Sequence, residues 1–401
     1  MPAPTPLSSL LPPLELSAED ESTLHELAAT LVESNIEEWL AQPPAQNSAR
    51  WSELRMSRLT HGNGGGELRV YEELGSAEAS LAVSSILLVG TVAGNVDDLL
   101  LAYTPPLGAV AAGSASHALK LRSMCIQDGA VDCKTLQTIV APSVNDPLHH
   151  LAVTWRQFST RDYICVDATG VAISSEGEQI AYSLSHSVDF AQLPTFEHEN
   201  VGRGNVSVCS LFRQCGPHQV AVYARGFFDL HTEPGDDPLV ANVALRAAAT
   251  RWLGVTRHLE FVHMRKLSWK LRALNETSKG ALVLERESSI ERSKSSGKNC
   301  AVCGKSAGFL ASKKKTCAIC RQSLCSTCQI KRRLCELANT VPFAVDERKE
   351  VFCPPCHGAA ALSDARVVAM DELSRNEELE RPTSSSMSSF RGSKRSGKPL
   401  I

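Results

Sequence analysis

The chain has 401 residues, 43% of them hydrophobic, and a formal net charge of −3 at pH 7. That length accommodates two or three domains and a sizeable core. With no broad basic excess and an aromatic content of only 5%, nucleic-acid binding is not expected.

Residues 1–16 are Pro-rich, which predicts a disordered N-terminus. Residues 1–11 have neither a basic start nor an apolar run, so no signal peptide is expected. Ser17 and Asp20 then predict a helix cap with an acidic first turn. Leu24, Leu27, Leu31, Ile36 and Trp39 form a helical stripe that Pro43 and Pro44 stop. From Trp51 the period changes. Segments around 66–73, 121–127, 150–158, 162–168, 179–188, 205–213 and 219–230 alternate apolar and polar residues between turn-forming clusters. This predicts an antiparallel sheet with one face buried, interrupted by a helical insertion at 95–103. The most apolar run, 81–92, is shorter than the roughly 20 residues a bilayer span needs, so a soluble, cytoplasmic chain is expected. Cys125, Cys133, Cys165, Cys209 and Cys215 show no metal spacing and read as reduced thiols.

No hydrolase, kinase or dinucleotide motif is present, and the chain reads as non-enzymatic. The glycines at 62, 64, 65 and 66 lack a following Lys-Ser/Thr, so they make a turn and not a phosphate loop. His149 and His150 open a strand, where alternation sends the rings to opposite faces.

One long helix is predicted to close the region. Asp237 caps it, Pro238 sits in its first turn, and apolar residues recur at Leu239, Val243, Leu245, Trp252, Leu259, Val262 and Leu267, with a bend at Gly254. A helix against a curved sheet can enclose a cavity for an apolar ligand. This order of elements resembles the START lipid-transfer family. So do Arg161-Asp162-Tyr163, Ser185-His186-Ser187-Val188 followed by Pro194, Gly202-Arg203-Gly204, and Asp229 with Pro234-Gly235. The resemblance implies an α+β helix-grip fold over 17–274, an antiparallel sheet with a long C-terminal helix, and a lipid in its cavity. The alternative is a scaffold whose core is filled.

Residues 275–299 are polar and predict a linker. Residues 300–358 form a second module built on four CxxC pairs: Cys300/Cys303, Cys317/Cys320, Cys325/Cys328 and Cys353/Cys356, separated by thirteen, four and twenty-four residues. Eight thiols make two closed four-ligand sites for structural Zn²⁺. The four-residue gap favours interleaving, with Cys300, Cys303, Cys325 and Cys328 on one ion and Cys317, Cys320, Cys353 and Cys356 on the other. A disulfide framework is the alternative. Cys335 lies outside any pair. Across 292–357, thirteen Lys/Arg stand against four Asp/Glu, so the module should attract an anionic partner. A charged helix at 359–381 and a disordered tail at 382–401 are expected.

The pair order, the short gap and Gly304 resemble the FYVE-type finger, which binds phosphatidylinositol 3-phosphate on endosomes. By position, the resemblance implies that Phe309 and Leu310 are a membrane-inserting turret beside Lys313, Lys314 and Lys315. Departures are specific. Lys315 and Thr316 occupy the two histidine positions, Ala318 and Val351 stand at arginine positions, Arg321 replaces a glycine, and no Trp-x-x-Asp precedes Cys300. The metal frame is kept and the head-group motif is largely lost. Attraction to acidic membranes is therefore expected over phosphoinositide reading, with peripheral, endosomal localisation. Cys353-Pro354-Pro355-Cys356 resembles the end of a RING-type ubiquitin ligase domain, the alternative for this module; protein partners are the third.

Overall fold

The computed structural model describes residues 5–41, 49–56, 66–74, 83–105, 114–229, 238–284, 299–305, 315–337 and 345–380. The predicted cap opens helix α1 (Ala18–Ala41). Ser17 Oγ donates to Asp20 Oδ2 (2.7 Å), and Asp20 Oδ2 also accepts from the Ser17 backbone N–H (3.0 Å). The elements that follow are β1 (Trp51–Leu54), β2 (Leu68–Glu73), β3 (Val83–Ala93), α2 (Val96–Tyr103), α3 (Ser114–Ile126), β4 (Asp132–Val140), β5 (His150–Phe158), β6 (Arg161–Ile173), β7 (Gln179–Ser187), β8 (Gly202–Arg203), β9 (Val206–Gly216), β10 (Gln219–Asp229), α4 (Pro238–Trp252) and α5 (Val255–Leu284). The strands form one sheet in the order β1-β2-β3-β10-β9-β7-β6-β5-β4, antiparallel throughout, with β8 added in parallel to β6. Gly90 in β3 has φ +143°, and a Cβ there would lie 1.9 Å from Glu67 O. Only glycine permits that approach of β2 to β3.

The sheet is covered on both faces, not one. Leu87, Trp155, Ile164, Val166 and Leu211 pack with Leu24, Ala28, Val32 and Ile36 of α1. Their strand neighbours Ile86, Leu88, Tyr163, Cys165 and Phe212 pack with α2, α4 and α5 through Leu99, Leu100, Leu245, Trp252 and Val262. This is a helix-grip arrangement of the α+β class. The α1 face also takes up the N-terminal segment, which was expected to be disordered. Leu11 and Leu14 are each 3% exposed, Lys134 Nζ donates to Leu11 O (2.7 Å), and Ser8 N donates to Asp132 Oδ2 (2.9 Å). Prolines lack backbone donors, so a Pro-rich strip can lie on apolar surface without leaving N–H groups unpaired.

Three further expectations change. Segment 121–127 is the end of helix α3, where Ala118, Leu119, Leu121 and Ile126 are buried. The closing helix is two helices that break at Leu253 and Gly254, where Val255 N turns to Leu253 O (2.9 Å). Leu239 and Val243 of α4 are exposed, whereas Leu245 and Trp252 of the same helix and Val262 and Leu267 of α5 are buried, so the predicted stripe faces the core only from Leu245 onward. The second helix also continues past residue 275, where the polar composition predicts a linker.

The cysteine module contains β11 (Lys315–Thr316), β12 (Ser323–Leu324), β13 (Ile330–Leu337), β14 (Val345–Phe352), α6 (Pro354–Ala361) and α7 (Ala365–Glu380). The predicted charged helix is thus α7, preceded by a short helix that begins inside the last CxxC pair. The module does not stand apart from the sheet domain. Leu267 and Leu271 of α5 share a core with Ala318, Leu334, Phe352 and Ala360. Ala365, Val368 and Ala369 of α7 join the main core. Arg265 on α5 meets Glu372 on α7 at 2.5 Å with both side chains 4% exposed. Lys266 Nζ bonds Asp98 of α2 (2.5 Å) and Ala361 O (3.0 Å). No helix among the described residues is long and apolar enough to cross a membrane.

Candidate metal centres and a polar interior

The interleaved pairing is realised. Cys300, Cys303, Cys325 and Cys328 gather in one cluster and Cys317, Cys320, Cys353 and Cys356 in another, the sulfurs of each lying within 4.8 Å of one another. The inter-pair distances Cys303–Cys325 (3.7 Å) and Cys320–Cys353 (3.9 Å) match the edge of a tetrahedron with metal–sulfur bonds of about 2.3 Å, which is about 3.8 Å. Each cluster can hold one metal ion. Backbone N–H groups support the sulfurs: Cys325, Cys303 and Val302 draw the Cys300 thiol down to about 6. Burial opposes ionisation of Cys317, yet the N–H groups of Cys320 and Cys353 bring it to about 7. The first two knuckles turn through a left-handed residue, Gly304 (φ +69°) after the first and Arg321 (φ +60°) after the second. Arg321 occupies the position where the finger pattern has glycine, a strain of order 1 kcal/mol that the metal frame must hold.

Lys315 is exposed on β11. Phe309, Leu310, Lys313 and Lys314 lie outside the described residues, as does the tail from 382.

A small interior cavity lies between the sheet and α2, α3, α4 and α5, where the sequence leads one to expect a lipid. It is nearly closed, with about 40 Å³ of space. Its lining carries charge, which the sequence does not disclose. Arg156 of β5 ion-pairs with Asp167 of β6. Asp167 also accepts from Ser185 Oγ (2.5 Å) and Thr154 Oγ1 (2.7 Å). Arg122 of α3 donates to Tyr103 O (2.6 Å). Arg122 and Arg156 are 8% and 4% exposed, and the Nε of each has no hydrogen-bond partner among the described residues. Burial alone would raise the Asp167 carboxyl, but Arg156 and Arg122 hold it below the usual carboxylate range. Burial lowers Arg122, and the nearby Arg156 charge adds to that. His258 stacks on Tyr103 at 4.1 Å, and its Nδ1 lies 2.9 Å from Gly254 O. Trp252 closes the cavity, with the Arg156 guanidinium 5.1 Å from its ring centre. Alternation did place Thr154 and Arg156 on one face of β5. Nothing local signals that Asp167 and Arg122 converge there, because strand register and helix docking bring them together.

Residues from three of the START-like motifs make structural bonds. Asp162, fully buried, accepts from Trp155 Nε1 (2.7 Å) and from Arg203 Nε (3.0 Å), tying β5, β6 and β8 on the α1 side. Ser187 Oγ accepts from Val206 N (2.9 Å).

No protein-family model matches the chain, and no curated protein does. Among solved structures it is similar to human StAR-related lipid transfer protein 5, at 16% identity and TM-score 0.37 over 59% of this chain and 99% of that one. Human STARD10 matches at 10% identity and TM-score 0.36 over 66% and 86%. A STAR-related lipid transfer protein from Xanthomonas axonopodis matches at 10% and 0.32 over 53% and 98%. At TM-scores this low the likeness carries no argument, and the fold rests on the strand order and the closing helices themselves.

Proposed function

We propose that the chain is a non-enzymatic lipid-binding adaptor whose helix-grip interior receives a polar lipid head at Arg122, Arg156 and Asp167, and whose two cysteine clusters hold structural Zn²⁺. The observation that supports it is the pair of buried guanidinium groups with unpartnered Nε donors at the interior cavity. Buried charges cost several kcal/mol unless fully paired, and unpaired buried donors call for a water or ligand. A cavity of about 40 Å³ holds water, whereas small-ligand sites run to roughly 300–1,000 Å³. Lipid entry therefore requires α4 and α5 to swing outward at their break, with the ligand drawing on that open population. The small volume favours a second reading, a scaffold with a filled core. Full-length protein is expected to retain lipid through purification, detected by native mass spectrometry with extraction, and to shield a fluorescent lipid from an aqueous quencher. Arg122→Met should weaken uptake at least tenfold. Folded, metal-loaded protein that takes up nothing from a broad lipid panel establishes the scaffold instead. The ubiquitin-ligase alternative draws no support beyond the shared interleaved frame.

Contact with acidic, endosomal membranes through Phe309, Leu310, Lys313, Lys314 and Lys315 belongs to the same reading. Each Lys near an anionic surface adds about 1 kcal/mol, an attraction that salt screens. Replacing the three lysines with alanine is expected to abolish co-sedimentation with phosphatidylserine vesicles at low salt. With the histidine positions changed, only a slight preference for phosphatidylinositol 3-phosphate is expected. Salt-independent binding would remove the electrostatic basis.

A further inference from the structure

A cleft of about 450 Å³ opens where the β2–β3 end of the sheet, α5 and the cysteine module meet. It is separate from the grip interior, and its size is that of a small-ligand site. Its lining is amphipathic. Leu68, Val92, Leu259 and Val262 give an apolar wall, and Leu362, 72% exposed, stands at the rim. The other side carries Arg332 of β13, His263 of α5 and His357 of α6. Arg332 Nε donates to His357 Nε2 (3.1 Å), His263 Nε2 lies 3.3 Å from His357 O, and the two rings meet edge to face at 4.1 Å.

The charge balance of this lining is specific. Lys266 also lines the cleft but is neutralised by Asp98. The neighbouring cations are paired: Arg333 with Glu347, Arg348 and Arg272 with Glu336. Arg332 has no carboxylate partner among the described residues; with its Nε–H on His357 and its Nη1 donating at 3.4 Å to Lys331 O, Nη2 is the donor left for an anion. Glu260, exposed on the same lining, is the opposing charge and weakens that attraction without cancelling a direct contact. Arg332, His263 and Glu260 also line a second chamber of about 280 Å³ bounded by Phe261, Met264 and Leu267.

We propose that this cleft binds a single-chain amphiphile with an anionic head, carboxylate or phosphate. The head sits on Arg332 with the imidazoles beside it, and the chain lies on Leu68, Val92, Leu259 and Val262. The ligand then bridges the sheet domain and the cysteine module, and its binding does not require the grip interior to open.

The test uses the full-length, metal-loaded protein and 11-(dansylamino)undecanoate, with its neutral amide and a lysophosphatidic acid competitor. Saturable fluorescence enhancement is expected, at least tenfold weaker for the amide. Arg332→Glu and Leu362→Asp, both surface changes that leave the core intact, should each weaken binding at least tenfold, and Glu260→Gln should strengthen it two- to threefold. Competition by lysophosphatidic acid identifies phosphate as an accepted head, while its failure limits the site to carboxylates. A diazirine-bearing fatty acid should crosslink to peptides containing Leu259, Val262 or Leu362. Equal affinity for acid and amide, or indifference to Arg332→Glu and Leu362→Asp, overturns the proposal. Crosslinks confined to β5, β6 and β7 overturn it too, while upholding the interior as the lipid site. Crosslinks to the cleft alone leave the cleft standing and the interior reading without support.

Discussion

Stripping metal from the full-length protein is expected to unfold the cysteine module and to lower the melting temperature of the sheet domain with it. The module has little core of its own. Its private cluster consists of Cys300, Cys317, Leu324, Val351 and Cys353, and β11 and β12 are two-residue strands. Each structural Zn²⁺ contributes roughly 10–16 kcal/mol of apparent binding energy, far more than those few side chains can. The effect should spread because α5 belongs to both units. Leu267 and Leu271 lose Phe352 and Leu334 as neighbours, and Arg265 faces a buried Glu372 whose helix is no longer anchored by the final CxxC pair. Leaving one member of such a buried pair uncompensated costs about 3–5 kcal/mol. Two ions per chain are expected by elemental analysis, with Cys325→Ser and Cys317→Ser each affecting a different site. Calorimetry should show one coupled transition in the loaded protein and a lower one after chelation. A single ion per chain, or a sheet-domain transition that ignores chelation, would sink the coupled picture.

The same contrast between local and non-local information governs how much was legible in the sequence. The two cysteine clusters were readable residue by residue because CxxC spacing and a four-residue gap constrain the chain covalently. Strands such as β5, β6 and β10 were readable from alternation, as was the cap of α1 from Ser17 and Asp20. Strand β4 escaped because its register shifts between Thr135 and Gln137 and again between Thr138 and Val140, which destroys the period-2 pattern. Helix α3 was misread because a seven-residue window beginning at 121 excludes Ala118 and Leu119, the residues that reveal the helical face. The continuation of α5 past 275 was hidden by polar composition, which reads as a linker although the backbone stays helical to Leu284. The charged interior was illegible for a different reason. Arg156 and Asp167 meet across a strand pair, while Arg122 arrives from a helix on the other side of the cavity, so only the assembled fold shows three ionised groups sharing one space.

That interior makes stability sensitive to mild acid. Burial pushes His150 down to about 4, and burial together with the nearby Arg122 charge pushes His258 down to about 3. Asp167 and His149 also face His150, and Arg156 and Arg257 also face His258. Both rings are thus neutral when folded, while in the unfolded chain they protonate near 6.5. Between those values the unfolded state binds more protons, so stability rises with pH across the window and falls as pH drops below about 6.5. Each tenfold difference in proton affinity between the two states is worth about 1.4 kcal/mol, so His150 forfeits roughly 3 kcal/mol by pH 4 and His258 a comparable amount. Asp167 acts lower: its folded carboxyl is depressed, so its contribution is present above about 3.9 and is lost only as pH falls toward its folded value. Domains of this kind have about 5–15 kcal/mol in total, so the two histidines alone bring unfolding within reach between pH 5 and 4. Urea midpoints at pH 7, 6 and 5 should fall progressively. Protonation of the cysteine ligands also favours unfolding in acid, so the histidine share is isolated by substitution. His258→Gln keeps a donor for Gly254 O but cannot charge, and should flatten the pH dependence by about one proton's worth of slope. An unchanged slope in that variant would show that His258 protonates without opening the core.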